Sequence, residues 1–307
     1  MDARVFLTLI VLGLAVSPAR AESNTPSGPE AELQAREVLR EWSEECLSFT
    51  GVRGEFLRID YDDVFQQQKH SVGSFGYLGS QHAFIQVRPA PQKPDPDSLK
   101  KKNDGSPYEY KEGFSDEWRW QKPWIRNIDH MEKKYEEYKI VIRPPSDSEP
   151  KWFDFCLYFS EIENLMPVLP GVPDQAKFDE FISESYLKVI GENDTHIIIA
   201  GKPKNRRRAA NLREFKLQLE KRPWRLRAVQ YIPPSGNQST VYLFSNVEFN
   251  PLAWDEPDLS DYQNLYTRSI FVRDPEKGEP QSFDKEAESQ LSGISFLLAL
   301  IYCCFNE

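Results

Sequence analysis

The sequence predicts an α+β fold in which an N-terminal helix leads into a curved antiparallel sheet, with a second helix in mid-chain. Three observations carry this. Ala35, Val38, Leu39, Trp42, Cys46 and Phe49 recur at spacings of three and four, the apolar stripe of an amphipathic helix. Segments of alternating polarity follow, most cleanly Glu214 to Glu220, where Phe215, Leu217 and Leu219 alternate with Lys216 and Gln218. The connections between such segments are short, which suits antiparallel neighbours rather than βαβ units.

Taken in order, the first 21 residues read as a secretory signal. Arg4 supplies a short n-region, Val5 to Val16 an apolar run, and Ala19-Arg20-Ala21 a small-x-small cleavage site. The run is shorter than the ~20 residues of a membrane span. The protein is therefore expected to be exported, to a periplasm or cell envelope. Residues 22–30 form a polar leader, and residues 31–252 the folded domain. Val52 to Tyr61 reads as a strand with Leu57, Ile59 and Tyr61 on one face and Phe56, Arg58 and Asp60 on the other. Ser71 to Val87, punctuated by Gly73, Gly76 and Gly79, reads as a hairpin with a bulge or bend. Residues 88–116, with five Pro and the Lys100-Lys101-Lys102 run, read as an insertion loop.

Trp118 to Trp124 and Tyr138 to Arg143 read as strands separated by a charged turn near Glu132 to Glu137. Asp154 to Met166 reads as a strand and a short helix, stopped by Pro170-Gly171-Val172-Pro173. Asp174 then caps a helix carrying Phe178, Phe181, Ile182 and Leu187. Tyr186 to Gly191, His196 to Ala200, Glu214 to Glu220, Trp224 to Ile232 and Thr240 to Phe249 complete the run of strands. Residues 253–307 form an acidic tail in which Asp255 to Glu288 shows no sustained period. The tail ends in the apolar segment Ile294 to Phe305, which either packs on the domain, attaches to a membrane surface or is the stub of a longer segment.

Composition narrows the function classes. The chain of 307 residues is 39% apolar and 28% charged, with a formal charge of -10, and Pro (23) outnumbers Gly (15). These figures exclude collagen-like, wholly disordered and polytopic membrane proteins. Four Cys are too few for a disulfide scaffold. Export places Cys46 and Cys156 where a disulfide can form, but their spacing does not pair them. Asn193-Asp194-Thr195 and Asn237-Gln238-Ser239 match the glycosylation sequon.

The sequence holds no G-x-S-x-G, H-E-x-x-H, G-x-G-x-x-G, P-loop or C-x-x-C pattern, and its four His lie far apart. No enzyme, cofactor or metal is indicated. Two features stand out. Lys202 to Arg227 holds eleven Lys or Arg against two Glu, with Arg206, Arg207, Arg208 and Arg213 at its centre. It is either an anion-contacting face, for acidic lipid or an envelope partner, or a solvated hairpin. Nucleic acid is not an expected partner of an exported chain, and no stacking motif accompanies the cluster. The strands also carry many large apolar side chains, with Trp118, Trp120 and Trp124 the densest group. They are either core or the wall of a greasy cavity.

The order of elements, with "GVRGEFLRIDYDDVF", "GSFGYL" and "YLKVIGENDTHIIIAGKPKNRRRAANLREFKLQLEKRPWRLRAVQYIPPSGNQSTVYLFSNVEFNP", resembles the LolA-like (outer-membrane lipoprotein carrier-like) domain family of planctomycete bacteria over residues 35–252. The resemblance implies an incomplete antiparallel β-barrel, a half-barrel with helices as a lid across its open side. It implies a non-enzymatic role binding a hydrophobic ligand or acylated protein in the cavity. By the family's Arg-Pro pair, Val87-Arg88-Pro89 gives Arg88 the role of tethering a lid or headgroup. Trp118, Trp120, Phe215, Leu217 and Leu219 are then the expected cavity lining. Residues 88–116 are longer and more charged than the family's loop, and residues 255–307 have no counterpart in it. The alternative expectation is an envelope scaffold with a filled barrel, a basic contact face and a membrane-associating C-terminus.

Overall fold

The computed structural model describes residues 28–78, 82–121, 124–142, 179, 181–252, 254 and 256–272. The expected signal peptide, the segment from Asp154 to Pro173, Cys156 and the apolar segment Ile294 to Phe305 lie outside the described residues.

Helix α1 (Pro29–Cys46) begins with Pro29 in its first turn and Glu30 and Glu32 beside its positive end, an arrangement that suits both proline and acids. Its apolar stripe buries Ala31, Ala35, Val38, Leu39, Trp42 and Cys46. The strands are β1 (Gly51–Asp62), β2 (Gln67–Leu78), β3 (His82–Pro89), β4 (Glu109–Glu112), β5 (Asp116–Gln121), β6 (Trp124–Asp129), β7 (Lys134–Ile142), β8 (Ser185–Glu192), β9 (His196–Pro203), β10 (Glu214–Glu220), β11 (Arg225–Ile232), β12 (Gln238–Phe249) and β13 (Gln263–Val272). They form one sheet in the order β13-β7-β6-β5-β3-β2-β1-β12-β11-β10-β9-β8, with β4 on β2. The sheet is curved and does not close, since β13 and β8 each pair on one side only. Neighbouring strands pair antiparallel, except β13 on β7 and β4 on β2, which are parallel.

Of the expected mid-chain helix, helical backbone is described at residue 179 and residues 181–183, where Phe181 and Ile182 are buried. Leu187, assigned to that helix from sequence, belongs to β8.

Three local expectations are corrected. Gly73 and Gly76 make no bulge: β2 runs in unbroken register with β1 and β3. They are glycines because Phe56 and Phe84, directly opposite, lay their rings over them, where a Cβ would collide. The region 88–116 is a packed segment rather than a plain loop. It forms β4, buries Leu99 and Tyr108, and fastens to β2 through Lys100 N–H donating to Gln68 Oε1 at 3.0 Å. The tail is not wholly irregular either, because residues 263–272 form β13, added to the edge of β7.

The concave face carries the main core: Phe56, Phe75, Tyr77, Ile85, Val87 and Trp118 on one half, Val189, Ile197, Ile199, Phe215, Leu217 and Leu219 on the other. Helix α1 crosses the second half. Gln34 donates to Glu192 at the end of β8, while Glu45 accepts from Trp224 N–H in the β10–β11 turn at 2.9 Å and pairs with Arg225 at the start of β11. These contacts define a helix end of the sheet. At the opposite, turn end lie residues 63–66, 130–133, 204–213 and 233–237, because β1, β3, β6, β9 and β11 finish there. The convex face has a smaller cluster, Ala228, Val241 and Leu243 with Leu57 and Tyr61.

Candidate functional site

The concave face is not uniform. Under α1 it is sealed: Phe215, Leu217 and Leu219 are each 0% exposed, and the ring of Phe215 lies 5.0 Å from that of Phe181. These three were expected to line a cavity. Water does not reach any of the three, so they are packed core. Trp118 is also buried, its ring 6.3 Å from Tyr138 and nearly parallel to it. Trp120 pairs with Ala83 and Ile125, and its side chain lies outside the described set.

Toward the turn end the same face becomes aromatic and polar. β1 places Phe56 and Arg58 on the concave side by the two-residue period of a strand. Arg58 is 8% exposed, an unusual place for a cation. Its guanidinium donates to both carboxylate oxygens of Asp60, lies 4.6 Å from the centre of the Phe114 ring, and lies 5.6 Å from that of Tyr242. Asp60 also accepts from the Thr240 hydroxyl at 2.7 Å. Burial opposes the Arg58 charge, but the nearby Tyr242 and Asp60 outweigh it and hold its pKa above the ordinary range. Burial raises the Tyr242 and Tyr231 hydroxyls. Phe114, Tyr231 and Tyr266 pack against the core on this side only partly buried.

Asp116, at the start of β5 beside Trp118, completes the polar group. Burial pushes its carboxyl up to about 7, with Asp129 adding to the rise and Arg58 opposing it. A largely buried carboxyl that exchanges its proton near neutrality, beside a buried ion pair and aromatic walls, can hold the polar end of an otherwise apolar molecule.

The other expected site residues fall elsewhere. Arg88 is exposed, and its neighbour Val87 occupies the core, so Arg88 points away from the concave face and does not tether a lid there. Arg206 and Arg213 are exposed at the turn end, and Arg208 pairs with Glu184 at 2.7 Å. Backbone 206–209 is a short helical turn, and the Arg207 side chain is outside the described set. Much of the surrounding basic run is paired as well: Lys202 with Glu214, Lys221 with Glu192, Arg225 with Glu45, and Arg227 with Glu220. Among the described residues no cluster of three His, Cys, Asp or Glu side chains is placed to hold a metal.

Arg58 and Asp60 were missed because Leu57, Ile59 and Tyr61 look like the buried face of β1. Both faces are covered, the outer one by the 90–112 segment, where Lys100 Nζ lies 5.4 Å from the Tyr61 ring and 5.0 Å from that of Tyr108. The available signal was an Arg and an Asp two residues apart in a strand beside Phe56.

No family model matches the chain. No curated protein matches it. Among solved structures it is similar to a LolA superfamily protein from Nitrosomonas europaea, at 10% identity over 73% of this chain and 95% of that one, with a TM-score of 0.27. It is similar to the lipoprotein LppX of Mycobacterium tuberculosis, at 10% identity over 73% and 99% of the two chains, with a TM-score of 0.35. It is also similar to LprF of Mycobacterium bovis, at 10% identity over 76% and 99%, with a TM-score of 0.36.

Proposed function

We propose that this chain is an exported, non-enzymatic binding protein that holds a hydrophobic or lipidated ligand against the turn-end half of its concave face, in the manner of a LolA-like carrier. The observation that carries the reading is the Arg58–Asp60 pair. It sits on an inner face otherwise built from Phe, Tyr and aliphatic side chains, ringed by Tyr231, Tyr242 and Phe114. Acyl chains would lie along the rings, and the ligand's polar end would meet Arg58, Asp60 and Asp116. The β10 face would serve as the floor that positions α1 and not as the ligand wall.

A fluorescent fatty-acid probe tests this. Its emission should rise on mixing with the protein and fall back when a lyso-phospholipid competes. Tyr231→Ala should weaken probe binding about tenfold, the loss of one aromatic wall. No emission change with wild-type protein would sink the proposal.

A second reading is favoured by the zero exposure of Phe215, Leu217 and Leu219. In it the half-barrel is solid throughout and the protein is an envelope scaffold that works by surface contacts. The probe separates the two, since a solid barrel gives it no place to bind.

A further inference from the structure

Two hairpin turns at the turn end are built alike. In residues 62–66, Asp62 Oδ1 accepts from the backbone N–H groups of Val64 and Phe65, both at 3.0 Å, and Gln66 closes the turn at φ 52°. In residues 129–133, Asp129 Oδ1 accepts from Met131 and Glu132 N–H at 2.8 and 3.0 Å, and Lys133 closes at φ 51°. An aspartate that caps two amides fixes such a turn locally. Each turn therefore holds its apolar residues outward, with Val64 62%, Phe65 70% and Met131 86% exposed. Large apolar side chains at rigid tips gain nothing from the fold that carries them.

Strand direction places both tips on one rim of the sheet, and the same rim carries residues 204–213. That loop has five Lys or Arg and no acid, with Arg206 and Arg213 exposed. Neighbouring contacts stiffen the arrangement: Asp63 N–H donates to the carbonyl of Asn237 at 2.8 Å, and Gln263 N–H to that of Lys133 at 2.9 Å.

We propose that this rim docks on an anionic bilayer surface, Val64, Phe65 and Met131 entering the interface while Arg206 and Arg213 meet lipid headgroups. A protein partner would need a matching pocket for each separated, protruding tip. A bilayer accepts isolated apolar side chains without one, and pairs that insertion with attraction between cations and anionic lipid. The occupant is thus a lipid surface, independent of what the concave face holds.

The test is co-sedimentation of the full chain with phosphatidylcholine vesicles, with and without phosphatidylglycerol. Wild type is expected to bind the anionic vesicles more strongly. The double variant Val64→Ser/Phe65→Ser should lose binding by about tenfold or more, because the apolar side chains no longer leave water. Arg206→Glu/Arg213→Glu should remove the preference for phosphatidylglycerol. The substituted positions are exposed, so an unchanged melting temperature is expected and shows that the fold survives. Wild-type protein that ignores both vesicle types overturns the proposal. So does a tip variant that binds like wild type, which would assign the contact to another part of the chain.

Discussion

Arg58 donates through Nε and Nη2 to the two carboxylate oxygens of Asp60, both at 2.9 Å, from two positions away on the same strand and on the inner side of the sheet. The pair lies close to the turn end, where Asp60 faces Thr240 across the β1–β12 ladder. Removing one member leaves the other charge in a poorly hydrated place. Arg58→Leu is expected to cost about 3 kcal/mol of stability. The double variant Arg58→Leu/Asp60→Leu should recover most of that loss. Urea unfolding measures both, and additive losses would show that the two side chains do not act as a pair.

Asp116 sets a pH dependence of unusual sign. Its folded pKa of about 7 lies above the unfolded value of ~3.9. Its contribution to stability is complete below the unfolded value and is lost as pH rises to neutrality. Asp116→Asn, a neutral isostere, should therefore be more stable than wild type by about 2–4 kcal/mol at alkaline pH and near parity in acid. Equal stabilities at both ends of the range would contradict this.

His70 acts in the opposite direction. Buried on the outer side of β2 and bonded to Gln68 Nε2 at 2.7 Å, its imidazole is pushed down to about 4 by burial, with Asp60 opposing. The stability it brings is present above the unfolded value of ~6.5 and is lost as pH falls toward 4. His70→Gln should stay stable in mild acid where wild type weakens. The two groups offset one another between about pH 4 and 7, so their separate slopes emerge only in the single variants.

The sealed half of the barrel is tested by truncation. Phe215→Ala and Leu217→Ala remove side chains with no exposure and are expected to cost about 3–5 and 2–5 kcal/mol respectively. Losses below about 1 kcal/mol would mean that these side chains already face an open space.

The fold was legible where one face of an element is apolar and the other polar. The stripe of α1 and the alternation in β10 needed only their own periods. What escaped was decided by distant partners. β13 has no period of its own and is a strand because the edge of β7 accepts it. The 88–116 segment looked like a loop because its apolar residues are sparse, yet Leu99 and Tyr108 are buried and its backbone fastens to β2. The glycines of β2 suggested a bend, and only the rings of Phe56 and Phe84 across the ladder explain them.

The site divided along the same line. Phe215, Leu217 and Leu219 were correctly read as one face of a strand, but the pattern of a strand is the same whether a helix or a ligand covers it. Arg88 was carried by a dipeptide match, and its place one residue beyond the inward-facing Val87 turns it outward. Arg58 is an arginine that the sheet does turn inward, on a strand whose other face looked more apolar.

Native mass spectrometry of the protein, secreted into a bacterial periplasm and purified without detergent, tests the binding claim most directly. Burying an acyl chain gains about 0.8 kcal/mol per methylene, so a long-chain ligand should survive purification. A fraction of molecules is expected to carry added mass equal to a phospholipid or an acylated peptide, with that fraction falling in Tyr231→Ala. A bare polypeptide mass that stays bare after incubation with phospholipid vesicles would contradict it.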